Sequence, residues 1–272
     1  MNTVNVTELQ PCDVLLYQGN GFFAKSIRLL DSGPYSHAGL YMGLDNGKPY
    51  VAEMVPGGFQ YRPLAESIKG SNYVNVHRYY SDGREVIGSP NLPIKPVLDR
   101  EGFYQQQHDR YAYEQILLLA MICITRSLPI YPKQFIKTIL EEALDLMKKM
   151  SGSNKTPMVC SGLVYRCFDE AKPKSDPQYK IRTKEAELAL AKAIQYEKMA
   201  IGAEVMESEE DKEIILLKAN FLEGYMFATY GLPPDIRGLD AVIESVASPA
   251  DFVTPNGLGR SVNINKLGTL SL

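Results

Sequence analysis

Between residue 11 and about residue 80, apolar positions gather in short runs broken by polar and turn residues, the pattern of β-strands. The runs are "CDVLLYQG", "SHAGLYMGL", "KPYVAEMV" and "NYVNVHRYY". They are rich in β-branched and aromatic residues and are separated by Gly, Pro, Asn and Asp. "LDNGK" (Leu44–Lys48) between the second and third carries a hairpin-turn signal. "FFAKSIRLLDSG" (Phe22–Gly33) reads as a short helix closed by Gly33. The Pro- and Gly-rich stretch from about 82 to 100 is expected to be loop.

The period then changes to that of helices. "DRYAYEQILLLAMICITRS" predicts one over residues 109–127. "PKQFIKTILEEALDLMKKMSG" predicts another, with Pro132 at its start, lysines in its last turn and Gly152 after it. Thr183–Gly202 and Ser208–Tyr230 follow. The second opens on a capping-box-like Ser208-Glu-Glu-Asp211 and closes at Gly231 and Pro233. The last forty residues are expected to be loop with a short strand. Together these patterns predict an α+β chain. They make residues 1–272 a single domain whose β core carries helical insertions near 103–150 and 183–230.

Composition narrows the function. A length of 272 residues, 45% hydrophobic and 22% charged, suits an ordinary globular core. A net charge of -3 offers no general attraction to nucleic acid or anionic lipid, so no nucleic-acid partner is expected. The longest apolar run, Ile116–Ile124, is too short to cross a bilayer, so no integral membrane segment is expected. The first residues lack the basic start and apolar stretch of a secretory signal. Synthesis as a cytoplasmic protein is expected, with signal-less export or injection as an effector left open. Nothing in the composition indicates an oligomeric state. Cys12, Cys123, Cys160 and Cys167 form no CxxC pair and no zinc-spaced Cys/His cluster, and no Gly-rich phosphate loop is present. No metal and no cofactor are expected.

One cysteine stands apart. In "MVCSGLVYRCF", Cys160 is followed by Leu163, Val164, Cys167 and Phe168 at helical spacing, so a helix should begin near Cys160. A thiol in the first turn lies at the positive end of the helix dipole, which favours thiolate. The amides of Cys160 and Ser161 there are candidate oxyanion donors. The other cysteines read as small buried hydrophobes.

A thiol nucleophile needs a base, and the histidines are His37, His77 and His108. His77 reads as a strand residue near the surface, and His108 sits in the polar "QQQHDR". His37 opens "SHAGLYMG" at the head of a core strand, and Glu53 lies within the apolar "YVAEMVPGG" of the next. Whether they meet depends on register. A two-residue Asn46-Gly47 turn would pair position 53 with 40, opposite His37. A three-residue Asp45-Asn46-Gly47 loop would pair 53 with 39 and put Glu53 on the face of His37, Gly39 and Tyr41. The three-residue loop is the expectation, with Glu53 orienting the imidazole.

"CSGLVYRCF" resembles the nucleophile motif of the NlpC-like papain-fold cysteine peptidases. "SHAGLYMG" and Glu53 precede Cys160, the order of the circularly permuted branch that includes the YiiX-like and lecithin retinol acyltransferase-like proteins. Cys12 stands where that branch has Gly. In "FVTPNGLGRS", Gly257 replaces its usual Asp, so that segment receives no role. The resemblance covers roughly residues 10–65, 155–170 and 250–270. It implies a permuted papain-like fold, a small antiparallel sheet or barrel packed against the catalytic Cys helix. It also implies Cys160 as nucleophile, His37 as base and Glu53 as the residue orienting it. The implied activity is that of a cysteine hydrolase (thiol protease or amidase) acting through an acyl-enzyme on a small peptide or acyl substrate, such as a cell-wall-type peptide. The alternatives are a lipid acyltransferase or thioesterase using the same thiol, and a papain-like fold kept as a non-catalytic binding module.

Overall fold

The computed structural model describes residues 2–81, 84–107, 111–112, 115–126, 128, 130–151, 153–171, 179–201, 208–231 and 247–271. His108, Gly152, Gly202 and Pro233 lie outside them.

The N-terminal runs become strands. β1 (Thr3–Val4) is followed by β2 (Val14–Gly19), β3 (His37–Asp45), β4 (Lys48–Val55), β5 (Gly58–Pro63) and β6 (Ser71–Tyr79). Two short helices interrupt them, α1 (Phe22–Leu30) and α2 (Leu64–Ser67). The last strand, β9 (Ile264–Leu270), returns from the far end of the chain and inserts between β1 and β6. Among the described residues the result is a seven-stranded mixed sheet in the order β1-β9-β6-β2-β3-β4-β5, antiparallel except for the β1–β9 pair. It is larger than the small antiparallel sheet expected, because β9, where a short C-terminal strand was expected, joins the N-terminal strands in it. A second pair, β7 (Tyr111–Ala112) with β8 (Thr156–Pro157), is parallel.

The helices follow in order: α3 (Lys95–Gln106), α4 (Gln115–Thr125), α5 (Lys133–Ser151), α6 (Cys160–Asp169), α7 (Lys184–Ile201), α8 (Glu209–Tyr230), α9 (Pro249–Phe252) and α10 (Pro255–Gly259). α8 obeys its sequence signals. Ser208 Oγ accepts from the Asp211 amide, and Gly231 closes the helix at φ 69°. α3 overturns the loop expected up to residue 100. Pro96 falls in its first turn, where a missing amide hydrogen is harmless. α4 is described from Gln115, and Tyr111–Ala112, inside its expected span, pair as strand instead. α1 ends at Leu30 rather than at Gly33, and Ser32, not Gly33, takes the left-handed conformation beyond it. Gly33 is needed for another reason: a Cβ there would collide with the Asn256 side chain.

The sheet is covered on both faces, so β2 reads as an unbroken apolar run rather than an alternating one. Val14, Leu16, Ala38, Leu40, Ala52 and Met54 belong to the larger core, together with Leu163, Val164, Cys167 and Phe168 of α6. On the opposite face Leu15, Tyr17, Tyr41, Val51, Val74 and Val76 pack with Leu64 of α2. Each Val, Leu, Phe or Met among them, fully buried, contributes roughly 1.5–3 kcal/mol of transfer free energy. α4 is apolar all round because neighbours enclose it, and Leu117 through Thr125 are all buried. Among the described residues no helix is long and apolar enough to cross a membrane.

The β3–β4 hairpin departs from its prediction and still reaches the predicted register. Asp45 pairs with Lys48 across Asn46 (φ 49°) and Gly47 (φ 74°), a two-residue turn with both central residues left-handed. That turn alone would set Glu53 opposite Leu40. A β-bulge at Met42 restores the other register: Gly43 pairs with Tyr50, Tyr41 with Val51 and Gly39 with Glu53. Gly43 sits at φ 97°, which glycine adopts without strain.

Candidate active site

His37 is the first residue of β3, and Glu53 lies one strand over. Both project to the face of Tyr17, whose ring centroid is 5.2 Å from that of His37. His37 Nε2 and Glu53 Oε2 are 2.5 Å apart. Cys160 is the first residue of α6, after an N-cap Val159 with extended backbone and no side-chain cap, so the first-turn amides have no side-chain acceptor at that position. Although α6 packs on the other face of the sheet, His37 stands at the strand end, where Cys160 reaches it. The Cys160 side chain hydrogen-bonds to the imidazole. With Nε2 committed to Glu53, Nδ1 is the ring nitrogen left for the thiol. The three residues singled out from the sequence are therefore in one contact chain.

Electrostatics ties the chain together. Burial of the His37 ring opposes its protonation, but the neighbouring Cys160 side chain and the Glu53 carboxylate outweigh burial and push the imidazole up to about 10. Burial would likewise raise the Glu53 carboxyl, whose side chain is 0% exposed, yet His37 and Arg62 together hold it below the ordinary carboxylate value. Arg62, on β5, donates from Nε to Glu53 Oε1 at 2.5 Å. Glu53 is thus held between two cations, one on each oxygen. Cys160 itself is 0% exposed, whereas the His37 side chain is 20% exposed and lines a cleft.

No family model and no curated protein matches the sequence. Among solved structures the chain is similar to the metalloprotein YiiX from Escherichia coli O157:H7, DUF1105. The identity is 16%, the match covers 95% of this chain and 96% of that one, and the TM-score is 0.39. A likeness at that level carries no argument about chemistry. Among the described residues no group of three or more His, Cys, Asp or Glu side chains is placed to hold a metal ion.

The remaining predicted residues sort by burial. His77 is 2% exposed rather than near the surface; its Nε2 lies 3.3 Å from the Tyr35 hydroxyl, and burial pushes it down to about 4. It stands outside the contact chain. Cys12, Cys123 and Cys167 are buried, as expected of packing thiols, and burial raises all three. Cys12 has φ 73°, a left-handed conformation that favours Gly. Ser161 uses its hydroxyl to bond the Val253 carbonyl at 2.7 Å, which fixes the first turn of α6 to the C-terminal segment.

Two residues in the site's framework had no sequence signal. Arg62 lies on a strand that the hydropathy pattern did not mark. Asn256, in the segment given no role, clamps Tyr35 two residues before His37. It accepts from the Tyr35 amide at 2.8 Å and donates to the Tyr35 carbonyl at 2.9 Å and to Asp31 at 2.8 Å. The segment's resemblance fell on Gly257, one position past Asn256.

Proposed function

We propose that the chain is a cysteine hydrolase with a circularly permuted papain-like fold, cleaving an amide bond of a peptide-type substrate. The observation that carries the reading is His37 held between Cys160 and an Arg62-clamped Glu53. The raised imidazole favours a thiolate–imidazolium pair at neutral pH. The Cys160 sulfur attacks the substrate carbonyl carbon, and the oxyanion is met by the first-turn amides of Cys160 and Ser161. His37 then gives its proton to the departing amine as the carbon–nitrogen bond breaks, leaving a thioester. With His37 now neutral, it takes a proton from water, whose oxygen displaces the sulfur and releases the acid. Glu53 keeps one imidazole orientation throughout and offsets its charge.

The full burial of Cys160 favours a second reading, a papain-like fold retained as a binding module. Thiol reactivity separates the two. Native protein is treated with iodoacetamide across pH and each cysteine is followed by peptide mass spectrometry, alongside His37→Ala. The hydrolase reading expects Cys160 to be modified selectively below pH 7, and at least about a hundredfold more slowly in the variant, the low end for a positioned base. Labelling of Cys160 no faster than Cys12, Cys123 or Cys167, and indifferent to His37, would leave the binding module.

A further inference from the structure

Resting on that reading, we infer that the substrate carries an anionic group beside the bond that Cys160 attacks, gripped by Arg62 and Lys69. A cleft of about 380 Å³ opens over His37, and Arg62, Lys69 and Ser67 are among the residues lining it. None of the described lining residues is acidic, so the two cations face the cavity without a carboxylate in its wall. Arg62 is built for a double task. Among the described residues its guanidinium has one acceptor, Glu53, engaged through Nε, which leaves both Nη amines for another. The group is 30% exposed at the cleft while its partner carboxylate is fully buried. An arginine whose one edge is locked and whose other edge is open presents a planar, pre-oriented fork, suited to a carboxylate or a phosphoryl oxygen pair. Lys69 is exposed, and its ammonium hydrogen-bonds to no described residue. It adds a mobile point charge at the same wall. A neutral amide substrate would gain nothing from this pair, whereas an anion is both attracted and aligned next to the imidazole.

The test uses two alkylating probes that differ in charge, iodoacetate and iodoacetamide, on full-length protein at low ionic strength. The ratio of their rates at Cys160, relative to the ratio at an unstructured cysteine peptide, is expected to favour iodoacetate. It should fall about threefold in Lys69→Gln and about tenfold in Lys69→Glu, the size of one and two charges acting across a partly solvated cleft. Added salt should erase the preference. A ratio equal to the peptide's and unchanged in Lys69→Glu overturns the inference while leaving the hydrolase reading intact. Failure of Cys160 to react with either probe removes the hydrolase reading and this inference with it. Protection of Cys160 from iodoacetamide by inorganic phosphate assigns a phosphoryl group, and protection by acetate a carboxylate.

Discussion

Glu101 shows what a single buried charge does in this fold. It is 3% exposed on α3, its Oε1 has no hydrogen-bond partner among the described residues, and burial pushes its carboxyl up to about 7. A folded pKa above the unfolded one contributes stability that is whole below the unfolded value, near 4.5, and is lost as pH rises through about 7. Carrying the ionised group in the fold at pH 8 costs about 3 kcal/mol. Glu101→Gln should therefore match the wild type in urea denaturation at pH 4.5 and exceed it by about that amount at pH 8. A difference that is the same at both pH values sinks the assignment. At this scale the sequence was informative where a residue's own chemistry is the signal. Cys160 announces itself by its place before a helical apolar stripe, and His37 and Glu53 by polar character inside apolar strands. Arg62 and Asn256 are ordinary surface-type residues by composition. Only tertiary placement turns one into a carboxylate clamp and the other into a backbone clamp.

At the scale of elements, most strands and the long helices were legible, α3 and β5 were not, and boundaries were less so. The runs of β2, β3, β4 and β6 were marked by their β-branched and aromatic content between turn residues, while β5, starting at Gly58 with Phe59, Tyr61 and Pro63, carried no such mark. The hairpin is the instructive case, because a wrong turn and an unforeseen bulge cancel. Turn chemistry is local and favours Asn-Gly as a two-residue turn, but a bulge depends on one backbone conformation at Gly43 that hydropathy does not encode. The consequence is testable. Gly43→Val forces a β-branched residue into φ 97°, costing roughly 1–3 kcal/mol. If the ladder relieves that strain by sliding, Glu53 moves opposite Leu40 and away from His37. Lower thermal stability and loss of fast Cys160 alkylation are expected. Removing Met42 as well lets position 43 pair as a regular strand residue and keeps Gly39 opposite Glu53, so the double variant should recover labelling. Recovery without the deletion, or none with it, would show that the bulge does not set this register.

Over the whole molecule, the chain's end supports its beginning. β9 sits between β1 and β6, Ser161 is tied to Val253, and a Cβ at Gly162 would stand 2.8 Å from the Ala250 carbonyl oxygen, so α6 and the C-terminal segment fit only as backbone against backbone. Asn256 then crosses 221 positions of sequence to hold Tyr35, and Asp31, its other partner, is itself paired with Arg126 at 2.7 Å. No local pattern encodes contacts of that span. The prediction at this scale is that the clamp supports stability and His37 placement together. Asn256→Ala leaves the buried Tyr35 amide and carbonyl without their partner, a loss of roughly 2–4 kcal/mol, seen as a lower urea midpoint with an unchanged slope. Under conditions where the variant is still folded, Cys160 alkylation should also slow, because the segment leading into His37 is no longer fixed at Tyr35. An unchanged midpoint would mean that the clamp is redundant with the sheet. A lowered midpoint with wild-type labelling would mean that β3 alone places the imidazole, and that the C-terminal segment stabilises the fold without shaping the site.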